Sequence, residues 1–124
     1  MSPAKYRALK KSIVEAGLFV TKIEKLVWGH RACISSRRRP EGGFSGNSLW
    51  VTCVEGHWYL GTWGSSIYRL PQDRDIAECC ITWLIRRPET LDAHFDKQHI
   101  QEFDLVSIPE AAFDQILFRQ IEDD

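Results

Sequence analysis

The stretch "SLWVTCVEGHWYLG", residues 48–61, predicts the centre of the fold. Two runs rich in aromatic and β-branched residues flank Glu55-Gly56, a dipeptide that suits the two-residue turn of a β-hairpin. That turn predicts these opposite pairs: Val54 with His57, Cys53 with Trp58, Thr52 with Tyr59, Val51 with Leu60, Trp50 with Gly61, and Leu49 with Thr62. We therefore expect two antiparallel strands in this register.

The alternation of side chains along a strand sorts the hairpin residues between two faces. One face is a conventional core face and holds Leu49, Val51, Cys53, Trp58 and Leu60. The other, here called the second face, mixes large rings with hydroxyl and imidazole groups: Trp50, Thr52, Val54, His57, Tyr59 and Trp63.

Rigid amphipathic side chains of this kind are enriched at the centres of protein interfaces. We therefore hypothesise a binding surface formed by Trp50, His57, Tyr59 and Trp63. The alternative is that the first helix or the C-terminal helices cover this face and its rings are core. Three large exposed rings would otherwise form an apolar patch of unusual size.

The flanking sequence predicts further strands and helices. Residues Tyr6, Leu9, Ile13 and Ala16 have helical spacing, and Gly17 is a natural helix end. We expect strands at Leu18–Trp28, at "RACIS" and at Ile67–Leu70. We also expect three helices: a largely buried one from Asp75 to before Pro88, a looser one over Ala93–Phe103, and a last one from near Ser107 through Ile121. The chain is expected to form a single α+β domain over residues 1–124, with a mainly antiparallel sheet of about five strands, an N-terminal helix, a buried central helix and C-terminal helices.

The net charge of −1 hides a strong partition along the chain. Residues 1–40 carry ten Lys or Arg against two Glu, whereas residues 89–124 carry two against ten Asp or Glu. A basic patch formed by Arg31, Arg37, Arg38 and Arg39 could hold phosphates, with bases stacked on the sheet aromatics. Against this, the pI near 6.4 is far from the basic footprint of nucleic-acid-binding domains.

The cysteines and histidines predict no metal site and no disulfide framework. Cys33, Cys53, Cys79 and Cys80 contain no CxxC pair, so we interpret them as buried thiols in a reducing compartment. His94 and His99 are five residues apart, which places them on different faces of a helix. No cofactor motif and no apolar run long enough for a membrane span occurs, so we expect a cytoplasmic protein that does not enter the membrane.

Catalytic motifs are also absent from the sequence. Cys53 and His57 are the nearest candidates for a nucleophile and its base, but the predicted register places them on opposite faces. We favour a small non-enzymatic protein-binding domain, similar in general character to adaptor or immunity proteins by analogy only. The alternatives are a nucleic-acid-binding domain and an enzyme whose site is assembled from distant residues.

Overall fold

The structure, a computed structural model, describes residues 4–36, 48–62, 67–86 and 93–122. The described residues form one six-stranded sheet and four helices, in the order α1 (Ala4–Glu15), β1 (Phe19–Leu26), β2 (Gly29–Ser35), β3 (Ser48–Val54), β4 (His57–Gly61), β5 (Ile67–Leu70), α2 (Ile76–Arg86), α3 (Ala93–Glu102), β6 (Val106–Ile108) and α4 (Glu110–Glu122). The strands lie in chain order across the sheet, and every neighbouring pair is antiparallel. The predicted α+β class is confirmed, with one strand more than expected.

The central hairpin has the predicted register from Val54 opposite His57 to Trp50 opposite Gly61. Its two turn residues, Glu55 and Gly56, both have positive φ angles, of 53° and 79°. This is the signature of a type I′ turn, whose twist matches that of the strands. Glycine adopts such angles freely, whereas a side chain at Glu55 costs about 1–2 kcal/mol.

The core face of the sheet is covered by α1 and α2. Tyr6, Leu9 and Ile13 of α1 are buried at the spacing that the sequence predicts. A Schellman motif ends α1, since the N–H groups of Gly17 and Leu18 bond back to the carbonyls of Val14 and Ile13.

Helix α2 begins where the sequence predicts, because the Asp75 carboxylate accepts the N–H of Ala77 at 2.9 Å. Its buried side chains pack with those of α1 on the aliphatic face of the sheet, as expected of a central buried helix. The core formed in this way contains Ile76, Cys79, Cys80, Trp83 and Leu84 of α2. Helix α3 packs beside α2 through His99.

The differences from the sequence prediction include the start of the last helix and the end of β1. The sequence predicts that the last helix starts near Ser107, but Val106–Ile108 form β6 and pair with β5, and α4 begins at Glu110. A three-residue strand is too short to show a periodic pattern, so only the pairing with β5 defines it. Strand β1 ends at Leu26, which leaves Val27 and Trp28 in the turn before β2.

The four cysteines are free thiols, and the expectation that all are buried is wrong for one of them. Cys33, Cys79 and Cys80 are buried, whereas Cys53 is half-buried. Cys53 is the next-to-last residue of β3, and it contacts Lys5 and Tyr6 in the first turn of α1. Among the helices that the structure describes, none has the length and apolar character needed to cross a membrane.

Candidate functional site

The second face of the sheet is partly covered by α4. Phe113 of α4 packs on Tyr59, with ring centroids 5.1 Å apart, and on Trp50 at 5.8 Å. Only 2% of Tyr59 is exposed, so its ring lies in a small core with Val54 and Phe113. At Tyr59, the structure therefore agrees with the alternative that a C-terminal helix covers this face.

A groove remains open beside α4. Two adjoining pockets of about 310 and 320 Å³ share Trp28, Asp114 and Leu117 and together form this groove. We call it the α4 groove and define it by Val27, Trp28, Trp50, Asp114, Leu117, Phe118 and Ile121. It exists because α4 packs over β3 to β5 and leaves the neighbouring part of the second face beside it.

The α4 groove gathers side chains that are both apolar and exposed. Val27 is 74% exposed, Phe118 60% and Ile121 40%, and all three line the same pocket. Asp114, Leu117, Phe118 and Ile121 are spaced three, one and three residues apart, which places them along one stripe of α4. Isolated apolar residues on a surface are ordinary, but a contiguous group marks an interaction site.

Trp28 is held in the groove by a polar contact. Its indole Nε1 donates to Oγ1 of Thr52 at 3.4 Å, and the Thr52 hydroxyl in turn donates to the backbone carbonyl of His30. The indole is thus fixed at the β1–β2 turn while its ring remains half-buried. A half-buried tryptophan in a fixed orientation can bind a partner with little loss of entropy.

The charged side chains differ between the two sides of the groove: Arg31 on the sheet side is paired with a carboxylate, whereas the carboxylates on α4 are exposed. Arg31 contacts one carboxylate oxygen of Glu24 through both Nε and Nη2, and Lys22 contacts the other oxygen at 3.2 Å. These cations hold the pKa of Glu24 below its usual value, with the hydrogen bond from Arg31 the larger cause. On α4, Glu110 and Asp114 line the groove with exposed carboxylates. The α4 edge of the groove is therefore acidic.

The structure brings together only some of the residues that the sequence singles out. Trp50 and Arg31, which belong to the two different predicted sites, line the same pocket of the α4 groove. Tyr59 is buried, and His57 lies at the hairpin end with Nδ1 3.3 Å from the carbonyl oxygen of Glu55. Trp63, Arg37, Arg38 and Arg39 lie outside the described residues.

Sequence reasoning missed the groove residues on the β1–β2 turn and on α4. The sequence predicts a strand through Val27 and a helix through Ile121 but no exposed site at either residue, and both are exposed. Two signals point to them. A hairpin turn is usually polar, but this one holds Val27 and Trp28, and the apolar residues of α4 extend around more of the helix than one buried face needs.

A thiol and an imidazole do meet elsewhere, in the core. Cys79 Sγ lies 3.5 Å from Nε2 of His99, and both residues are buried. Burial raises the pKa of Cys79 to about 12, so the sulfur stays protonated at neutral pH and cannot act as a nucleophile. The pair joins α2 to α3. Cys53 and His57 lie on opposite faces of the hairpin, as the register requires.

Within the part of the chain that the structure describes, no three His, Cys, Asp or Glu side chains are close enough to hold a metal ion. No protein-family model, curated protein or solved structure matches the chain. The functional proposal therefore depends on the geometry of the α4 groove.

Proposed function

We propose that this protein is a non-enzymatic protein-binding domain that holds a basic amphipathic helix of its partner in the α4 groove. The observation that carries the proposal is the contiguity of Val27, Phe118 and Ile121, all exposed, beside the half-buried rings of Trp28 and Trp50. Tryptophan and other large apolar side chains surrounded by polar groups supply most of the binding energy of protein interfaces.

A helix is the partner structure that suits the groove. The α4 side of the groove presents Asp114, Leu117, Phe118 and Ile121 along one stripe, and a second helix packs on such a stripe by inserting its own apolar side chains between them. From Glu110 to Ile121 the helix rises about 16 Å, which accommodates about three turns of a partner helix.

The charges at the groove favour a basic partner. Glu110 and Asp114 stand on the α4 edge of the groove, whereas the nearby Arg31 is engaged by Glu24. Lysine or arginine residues beside the apolar stripe of a partner helix would pair with the two carboxylates. Such rim pairs contribute more to orientation and association rate than to affinity.

The nucleic-acid hypothesis has less support. Arg31, the described member of the predicted basic patch, is paired with a carboxylate, and the acidic edge of the same groove would repel phosphates. The enzyme hypothesis gains no support from the described residues, because the thiol and imidazole that are in contact there, Cys79 and His99, are both buried.

The proposal is tested by affinity capture with three baits: the wild type, Phe118→Asp and Ile85→Asp. Circular dichroism first establishes that the three are folded to the same extent. Ile85 is the matched control, since it is 61% exposed against 60% for Phe118 but lies on α2, on the other side of the sheet. Each capture is made both with and without nuclease treatment of the lysate. We expect a protein that binds the wild type and Ile85→Asp but binds Phe118→Asp about 30-fold more weakly, the loss that follows from removing one hot spot.

Val27→Asp, on the β1–β2 turn, should weaken capture of the same protein, because Val27 lines the same pocket as Phe118. The binding segment of the captured protein, made as a peptide, should form a basic amphipathic helix and bind by itself. Capture that is equal for all three baits, or that disappears with nuclease treatment, would refute the proposed surface.

A further inference from the structure

The sheet opens at the end where α1 begins. The ladder between β2 and β3 runs from Ser35 opposite Ser48 to Ala32 opposite Val51. Beyond that point the hydroxyl of Tyr6 lies between the strands. It accepts the N–H of Cys53 at 2.8 Å and donates to the carbonyl of His30 at 2.9 Å, in place of a direct bond between the two strands.

This opening borders a cleft of about 630 Å³ between the β1–β2 turn and the β3–β4 turn. We call it the hairpin cleft and define it by Lys5, Tyr6, Lys25, Trp28, His30 and Cys53. Its volume falls within the range of small-molecule sites, roughly 300–1,000 Å³. Trp28 also lines the α4 groove, but Lys5 and Lys25 line the cleft and do not line the groove.

The hairpin cleft has a surplus of positive charge. Lys5 and Lys25 line it, and neither contacts a carboxylate in the described part of the chain. Its acidic residue, Glu55, is engaged by Arg119, through bonds of 2.8 and 3.1 Å, and by Gln120 at 2.9 Å. The hydrogen bond from Arg119 is the main reason that the pKa of Glu55 lies below its usual value.

The first turn of α1 adds to this potential. Lys5 and Tyr6 belong to the first turn of a twelve-residue helix, whose N-terminal end carries a partial positive charge. The Lys5 ammonium lies over the cleft, 3.6 Å from the sulfur of Cys53. The imidazole of His30 lies beside Tyr6, with ring centroids 5.6 Å apart, and provides a further polar group.

We propose that the hairpin cleft binds a small molecule that carries a carboxylate or phosphate group. Lys5 and Lys25 hold the anionic group, and the half-buried indole of Trp28 contacts the rest of the ligand. Two ammonium groups without local carboxylate partners, in a concave site of this size, favour an anion over a neutral or cationic ligand.

Cys53 makes this testable, because it lines the cleft and is half-buried while the other three cysteines are buried. The rate of its alkylation by the anion iodoacetate is divided by the rate with neutral iodoacetamide. This ratio cancels changes in thiolate content and reports the local potential. We expect this ratio to exceed the ratio for a free thiol. It should fall about threefold in Lys5→Gln, as expected when one ammonium is removed at ~6 Å, in water, from the carboxylate of the approaching iodoacetate.

Lys25→Gln should lower the ratio in the same way. Lys11→Gln is the matched control, with the same charge change at an exposed site on α1 that does not line the cleft. Citrate and pyrophosphate, in separate arms, should each be tested for saturable protection of Cys53 from iodoacetamide, against sodium chloride at equal ionic strength. The two arms distinguish a carboxylate ligand from a phosphate ligand.

Saturable protection by either anion, lost in Lys5→Gln and retained in Lys11→Gln, supports the proposal. Protection that sodium chloride reproduces, protection that is equal in all variants, or an alkylation ratio equal to that of a free thiol overturns it. Protection by an oligonucleotide alone would also overturn it, because the occupant would then be a polymer.

Discussion

Replacing Tyr6 with phenylalanine isolates the contact that ties α1 to the opened end of the sheet. The hydroxyl of Tyr6 accepts from the backbone N–H of Cys53 and donates to the carbonyl of His30. Its ring packs edge-on against Trp58, with centroids 5.3 Å apart, and phenylalanine would keep that contact. The substitution therefore removes two hydrogen bonds and little apolar contact.

The cost follows from what each partner loses. The carbonyl of His30 keeps the donor that Thr52 supplies, whereas the N–H of Cys53 loses its acceptor in a part-buried position. A buried donor left without a partner costs about 1–3 kcal/mol, so we expect Tyr6→Phe to destabilise the protein by about 2 kcal/mol. For a domain of this length, that corresponds to a fall in Tm of roughly 8 °C.

The assay is urea unfolding followed by circular dichroism, with Tyr68→Phe as control. Tyr68 is half-buried on β5, and its hydroxyl has no hydrogen-bond partner among the described residues. We expect the control to lose less than about 0.5 kcal/mol. Combining Tyr6→Phe with Thr52→Val should cost about 1 kcal/mol more than the sum of the two, because the carbonyl of His30 then loses both donors. Additive losses, or a Tyr6→Phe variant as stable as the control, would refute the reasoning.

Three further predictions concern the turn, the core and alkaline pH. Gly56→Val should cost more than about 1 kcal/mol in urea unfolding, because Gly56 has a φ of 79° and a Cβ there would lie 3.3 Å from Nε2 of Gln72; an unchanged midpoint would contradict this. Leu84→Ala should cost about 2–5 kcal/mol by leaving a cavity, whereas Ile85→Ala, one residue on but exposed, should cost little; equal losses would mean that α2 is placed wrongly. Folding raises the pKa of the Cys79 thiol from 9.0 to about 12, so the folded state holds this proton more tightly than the unfolded state. The resulting stabilisation is complete below pH 9. It is lost between pH 9 and 12, where the free energy of unfolding falls by about 1.4 kcal/mol per pH unit. Unfolding at pH 8, 9 and 10 should show a shallower decline for Cys79→Ala than for the wild type, and parallel declines would exclude this linkage.

The parts of the fold that local patterns define were predictable from the sequence. The Glu55-Gly56 turn and the alternation of side chains predict the hairpin register, since a shift by one residue would exchange the two faces. The spacing of Tyr6, Leu9 and Ile13 similarly predicts α1.

The candidate site was only partly predictable, because it depends on which helix covers which face. The period of two assigns Trp50 and Tyr59 to one face, but it does not show that α4 buries Tyr59 and leaves Trp50 at the edge of a groove. The exposure of Phe118 likewise depends on the tertiary position of α4. The opening of the sheet at Tyr6 could not be predicted, since it joins residues more than forty positions apart in the chain.

The claim that a partner helix lies in the α4 groove is tested most directly by photo-crosslinking. Two variants of this protein are made, one with the photoreactive residue p-benzoylphenylalanine at position 118 and one with it at position 85. The two positions are comparable because Phe118 and Ile85 are almost equally exposed. We predict that the first protein forms an adduct with the apolar stripe of a basic amphipathic helix in another protein, and that the second does not. An adduct formed equally from both positions, or one with a second copy of this chain or with nucleic acid, would contradict the account.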